Sequence, residues 1–178
     1  KLTVDVAKAQ VAGMALAGSK LSAAQLTLDS KGEKLTLEKL QVALAGQQGK
    51  SPFEATLDWP QLAVTATSLK GSGLSGKFKI SGASSLSGEF KTGAPSGQFN
   101  ALRLPALALT AVGTAGPRKV DANLKTDVLL SVGRTSASFE RLDLKANIID
   151  PALKNLELAV RGNASADTQQ AKWALDGS

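Results

Sequence analysis

The sequence predicts an all-β protein: many short antiparallel strands in a curved, elongated sheet, a groove or an open sandwich, with at most one short helix. Three observations predict it. Apolar and polar residues alternate along most of the chain, the breaks between alternating runs are small clusters of turn residues, and those breaks are too short to hold helical crossovers.

Alternation comes first because successive side chains on a strand point to opposite sides, so a two-residue period gathers the apolar ones on a single face. It is read at Leu2, Val4 and Val6; Leu26 and Leu28; Leu40, Val42 and Leu44; Phe78 and Ile80; Leu107 and Leu109; and Leu156, Leu158 and Val160. Helical spacing is nearly absent. Val11 to Ala24, rich in Ala and Leu, is the one stretch expected to hold a helical turn or two, although Gly13 and Gly18 weaken it.

Turns are expected at Asp29 to Gly32, Gly46 to Gly49, Lys70 to Gly73, Thr92 to Pro95, Gly113 to Pro117, Asp150-Pro151 and Arg161 to Asn163, where small residues supply positive φ and Pro a fixed one. These divide the chain into roughly twelve to fourteen strands joined as antiparallel hairpins. A degenerate unit recurs among them: an apolar anchor, two residues, Leu, one residue, then Leu or Val. It reads Leu37, Leu40, Val42; Trp59, Leu62, Val64; Phe99, Leu102, Leu104; Phe139, Leu142, Leu144; and Leu153, Leu156, Leu158. An odd spacing inside an even-period pattern switches face, so each unit implies a β-bulge or bend between anchor and Leu. Pro105 marks a second switch, between Leu102 and Leu104 on one side and Leu107 and Leu109 on the other, where a residue without N–H fits a bulge or an edge. Corners of a sandwich are the alternative explanation.

Composition bounds the function. The 178 residues suffice for one domain, read as a single β-repeat domain over residues 1–178, and 43% apolar content excludes a disordered tail. Aromatics are only 4%, so Leu, Val and Ala must supply the buried surface. With no Cys there are no disulfides or thiolate sites, and with no His a serine triad of the usual kind cannot form. The acids, such as Asp5, Glu38, Asp58, Asp127, Glu140 and Asp143, mostly fall at polar positions of alternating runs, as a solvated face requires. No enzyme, no metal site and no cofactor are expected. The net charge of +6 is dispersed, with Lys and Arg scattered singly among acids, and aromatic platforms for nucleic acid are lacking.

Gly71-Ser72-Gly73-Leu74-Ser75-Gly76-Lys77 matches the dinucleotide glycine fingerprint and most of a P-loop, but both need a following helix to hold phosphate. Here Phe78 and Ile80 continue as a strand. Ser30-Lys31-Gly32-Glu33 has capping-box spacing, yet Leu35 and Leu37 alternate after it, so a hairpin loop is expected. Leu104 to Ala115 is too short, and too interrupted by Pro105 and Gly113, for a membrane helix. Lys1 and the strand-like ending at Leu175 to Ser178 lead us to expect a fragment of a longer protein.

Units such as Lys34-Leu35-Thr36-Leu37-Glu38-Lys39-Leu40-Gln41-Val42-Ala43-Leu44-Ala45-Gly46 and Phe99-Asn100-Ala101-Leu102-Arg103-Leu104-Pro105-Ala106-Leu107-Ala108-Leu109 resemble the periplasmic repeats of the AsmA family. The resemblance is one of texture over most of the chain. It implies a periplasmic protein anchored to the inner membrane by an N-terminal helix that this chain lacks, and a repeating β-groove that carries lipid toward the outer membrane and affects its assembly. Phospholipid or lipopolysaccharide acyl chains would be the partners, with no nucleic acid. Candidate groove-lining residues are Leu40, Val42, Leu44, Leu102, Leu104, Leu107, Leu109, Leu142, Leu144, Leu156, Leu158 and Val160, with Lys77, Lys79, Arg103 and Lys145 as rim cations for phosphates. The same leucines could equally be the core of a structural or adhesive module that binds a protein partner. Oligomeric state, lipid identity and direction of transport are left open.

Overall fold

A computed structural model describes residues 2–11, 14–29, 31, 33–132, 136–152, 154–167 and 172–178. These form fourteen strands and no α-helix: β1 (Leu2–Val11), β2 (Met14–Ala23), β3 (Gln25–Leu28), β4 (Lys34–Gln48), β5 (Ser51–Thr65), β6 (Ser68–Gly71), β7 (Ser75–Ile80), β8 (Ser84–Lys91), β9 (Ser96–Gln98), β10 (Ala101–Ala115), β11 (Arg118–Ser131), β12 (Ser136–Asp150), β13 (Lys154–Asp167) and β14 (Lys172–Gly177). All belong to one antiparallel sheet.

The connectivity is simpler than fourteen strands suggest. β2 runs on into β3, β6 into β7 and β8 into β9, because each member of a pair lies against a different half of the same long neighbour: β4 takes β2 and β3, β5 takes β7 and β6, and β10 takes β8 and β9. The chain is therefore an up-and-down meander of eleven lanes, about 50 Å across at the usual inter-strand spacing.

Most long lanes are interrupted or bent at one level. β2 and β3 part at Ala24, β6 and β7 at 72–74, and β8 and β9 at 92–95. The intact strands β4, β10 and β12 carry their positive-φ residues at this level, Lys39 (φ 51), Ala106 (φ 51) and Arg141 (φ 54). The result is a crease that divides the sheet into a short panel and a long panel.

At two lanes the register shows why the crease keeps the apolar residues together. Leu104 pairs with Val128 and Leu107 with Thr126, so two residues three apart on β10 meet two residues two apart on β11. Likewise Phe139 pairs with Ala164 and Leu142 with Gly162. Each bulge absorbs the odd spacing, and anchor and Leu end on the same face. The bulges inferred at Phe139 to Leu142 and at Pro105 are present, and Leu37 to Leu40 carries a bend at Lys39 with no register shift against β5. Trp59 and Leu62 reach the same arrangement without a register shift, since they oppose Leu40 and Leu37, whose spacing is equally odd. Phe99 to Leu102 differs: Phe99 and Asn100 form the turn into β10. Leu153 lies outside the described residues.

Three local expectations are corrected, the first being that Arg161 to Asn163 is no turn but lies inside β13. Of the stretch Val11 to Ala24, residues 14–23 are not helical but form β2, paired on both sides by β1 and β4, and ladder pairing overrides the modest helix propensity of its Ala and Leu residues; residues 12 and 13 lie outside the described residues. Gly46 and Gly113 are not turn residues but lie inside β4 and β10, the turns falling at Gly49-Lys50 and Gly116-Pro117. Their place is explained by what crosses them. A Cβ on Gly46 would stand 2.2 Å from the backbone oxygen of Ala15 and 3.0 Å from the ring of its partner Phe53, and one on Gly113 would stand 2.2 Å from the backbone oxygen of Ser85 and 3.2 Å from the Leu86 side chain. Gly76 under Phe90 and Gly88 under Phe78 repeat the device at 2.6 and 2.7 Å. Three of the five Phe rings thus lie over glycines and flatten the middle of the apolar face.

Candidate functional site

The P-loop-like segment enters strand β7 as expected, with no helix to receive phosphate, and no group of three or more Asp and Glu able to hold a metal occurs among the described residues. The feature that dominates the molecule is its apolar face.

Registers trace that face from strand to strand. One row runs Val4, Leu21, Val42, Leu57, Gly76, Phe90, Leu109, Leu124, Leu144, Val160 without interruption. A second, next along the strands, runs Leu44, Ala55, Phe78, Gly88, Ala111, Ala122, Ala146, Leu158. A third runs Leu16, Gly46, Phe53, Ile80, Leu86, Gly113, Val120, Ile148, Leu156. On the short panel Leu28, Leu35, Val64, Leu69, Gly97, Leu102, Leu130 and Ala137 form a fourth. All twelve groove candidates lie on this face.

Burial follows distance from the crease. Leu40, Leu62, Leu102, Val128 and Thr126, next to it, are each less than a tenth exposed, whereas Lys39, Ala106 and Arg141 on the opposite side of the same bend are exposed. The sheet therefore bends toward its apolar side. Val42, Leu44, Leu104, Leu107, Leu109, Leu142, Leu144 and Val160 are half-buried, and at the far margin Leu158 and Leu156 are 48% and 59% exposed.

Among the described residues all fourteen strands are hydrogen-bonded into one sheet, and no second sheet lies over this face. The surface area agrees. A compact monomer of 18.2 kDa exposes about 8100 Å², and this chain exposes 11774 Å². The site is an uncovered apolar trough with a closed seam along the crease.

The other face is polar and internally balanced. Opposite charges pair in register at Asp5 and Lys20, Glu54 and Lys79, Lys77 and Glu89, Lys125 and Asp143, and Asp143 and Arg161. A depression of about 470 Å³ on this side, among Glu54, Thr56, Lys77, Lys79, Ser87 and Glu89, has no net-charged wall. The acids of this face are thus taken up in cross-strand pairs, and the net charge of +6 stays spread over the sheet. Lys77, Lys79, Arg103 and Lys145 sit within strands on this polar face, one residue out of phase with their apolar neighbours, and are not rim cations. At the open end of the long panel stand Lys50 and the exposed Arg118, the latter paired with Asp150.

Sequence reasoning missed Leu21, Leu57, Phe90 and Leu124, which complete the first row. Their alternation was visible, but their place in the row depends on the hairpin turns that set each register.

Comparison with protein-family models, with curated proteins and with solved structures finds no match.

Proposed function

We propose that the chain is a non-enzymatic lipid-handling module whose uncovered apolar trough holds the acyl chains of phospholipid or lipopolysaccharide. One observation carries the reading: rows of Leu, Val, Ile and Phe continue across up to ten strands with no protein layer over them. Contiguous apolar surface of this extent marks an interaction site, and each methylene taken from water onto it contributes about 0.8 kcal/mol. A tail lying across the strands would meet apolar side chains at every step, while its head group stayed in water beyond the strand ends, near Lys50 and Arg118.

The textural resemblance to AsmA-family repeats supports the same reading and suggests the setting: the Gram-negative periplasm, attachment to the inner membrane, and lipid movement that serves outer-membrane assembly. The alternative is a structural or adhesive module that binds a protein partner; an apolar face left open by a single sheet supports the lipid reading over it.

Native mass spectrometry of the purified chain, before and after addition of phospholipid or lipopolysaccharide, tests the proposal. Lipid adducts that survive gentle desolvation are the expected result, and a spectrum of bare protein under both conditions would refute it.

A further inference from the structure

Aromatic residues are scarce in this chain, five Phe and two Trp, yet four of these seven lie on the apolar face of just three strands: Phe53 and Trp59 on β5, Phe78 on β7 and Phe90 on β8. One unit, Ser-Gly, a charged residue, then Phe-Lys, stands on both arms of the β7–β8 hairpin, as Ser75 to Lys79 and as Ser87 to Lys91. Antiparallel register sets Phe90 opposite Gly76 and Phe78 opposite Gly88.

Each ring reaches across to a neighbouring strand. Backbone oxygens apart, a Cβ would meet Phe90 Cζ at 2.6 Å on Gly76, Phe78 Cζ at 2.7 Å on Gly88, Trp59 Nε1 at 2.5 Å on Gly71 and Phe53 Cε1 at 3.0 Å on Gly46. A ring whose tip points sideways lies low and turns a flank to the trough. Trp59 is held in that pose by its indole N–H, which donates to Ser72 O at 2.9 Å. All four side chains stay half-exposed, so covering the glycines does not use up their surface.

Elsewhere the floor is built from Leu, Val and Ile, knobs between which a flexible alkyl chain finds room. Phe78 and Phe90, side by side, with Trp59 toward the crease and Phe53 toward the open end, make a smooth aromatic facet instead. Stacking of ring on ring adds attraction beyond the area buried, and only a ligand with its own planar π system gains it. We infer that this facet is a subsite for the ring of an amphiphile that carries a planar conjugated ring on a hydrocarbon tail, the chemistry of a prenylated quinone. The ring stacks on Phe78 and Phe90, and the tail follows the apolar row through Leu109, Leu124 and Leu144. The assignment rests on the trough being a lipid site and adds a ring-bearing class to its acyl ligands.

Fluorescence tests it. In a Trp173→Phe protein the one remaining indole is Trp59, beside the facet, and decyl-benzoquinone quenches an indole that it touches. Saturating quenching is expected, whereas free tryptophan amide is quenched only in proportion to quinone concentration. Decanol, which has the tail without the ring, should displace the quinone only at about tenfold higher concentration. Adding Phe78→Leu/Phe90→Leu should weaken the quinone about tenfold while the sheet circular dichroism and the phospholipid adducts in native mass spectrometry persist. Proportional quenching of the Trp173→Phe protein, displacement by decanol at equal concentration, or saturation unchanged without the two rings would overturn the inference even where phospholipid binds. Loss of both phospholipid adducts and saturation in the Trp173→Phe protein would instead sink the lipid reading itself, and this subsite with it.

Discussion

The carboxylate of Asp127 accepts a 2.6 Å hydrogen bond from the backbone N–H of Ala106 and also pairs with the guanidinium of Arg141. Ala106 and Arg141 are the positive-φ residues of the β10 and β12 bulges, so one side chain on the intervening strand ties two bends together. Asn163 extends the arrangement on the next lane, its Oδ1 accepting from Arg141 N–H at 3.1 Å. On β5 the N–H of Gln61 donates to Ser72 Oγ at 3.0 Å. A bulge leaves backbone groups outside the ladder, and polar side chains from the neighbouring lane satisfy them here.

Replacing Asp127 tests that link. A hydrogen bond to a charged group contributes about 1.5–3 kcal/mol, and an exposed ion pair adds little, so Asp127→Ala should lower unfolding free energy by about 2 kcal/mol. Asp127→Asn, which keeps an acceptor for Ala106, should lose less than about 1 kcal/mol. Urea denaturation followed by circular dichroism separates the two; equal losses would show that the ion pair, and not the bulge N–H, is what matters.

Glycine normally weakens a strand interior by about 0.5–1 kcal/mol. At Ala106 and Lys39 the left-handed backbone reverses the sign, and Ala106→Gly and Lys39→Gly should be neutral or stabilising by up to about 1 kcal/mol. Ala106→Val should destabilise by more than about 1 kcal/mol, because a β-branched residue resists positive φ. Midpoints that fall on Ala106→Gly would contradict the assignment of the bulge.

Gly88 and Phe78 should be coupled. A methyl group at Gly88 would stand 2.2 Å from the backbone oxygen of Thr110 and 2.7 Å from Phe78 Cζ, so Gly88→Ala should destabilise by about 1–3 kcal/mol, of which a smaller residue at position 78 relieves only the ring's share. Phe78→Leu should be less harmful in the Gly88→Ala background than alone. Additive effects in a double-mutant cycle would mean that the ring does not lie over the glycine.

Much of this fold was legible because alternation is a local signal. Leu102 and Leu104 before Pro105, and Leu107 and Leu109 after it, announce both the strand and its bulge. What sequence could not give was which side the neighbours of a bulge would face, since Lys39 and Pro60 kink together without a register shift while Ala106 opposes an unkinked strand. Gly46 and Gly113 read as turns because nothing local says that Phe53 and Leu86 will cross them. The twelve candidates were legible as one apolar face, but not their gradation from buried Leu40 to exposed Leu156, which depends on distance from the crease and on nearness to the sheet margin. Lys77 and Lys79 were misplaced at a rim because their strand's position inside the sheet is a tertiary fact.

Position along that gradation decides the effect of a charge. Leu40 and Leu62 are each 7% exposed, and Leu40→Asp or Leu62→Asp should unfold the chain by burying an unpaired carboxylate. Leu109→Asp, on the half-buried floor, should keep a β-sheet spectrum and lose lipid cross-linking. A Leu109→Asp variant as unfolded as Leu40→Asp would mean that the floor is sealed from solvent.

The most direct measurement is a photo-crosslinker scan along β10 from Leu107 to Val112 in the presence of phospholipid vesicles. Adducts at Leu107, Leu109 and Ala111 with little at Ala108, Thr110 and Val112 are the expected result, a two-residue period in phase with the apolar face. Labelling without that period, or strongest at Thr110, would contradict a lipid lying on the uncovered leucines.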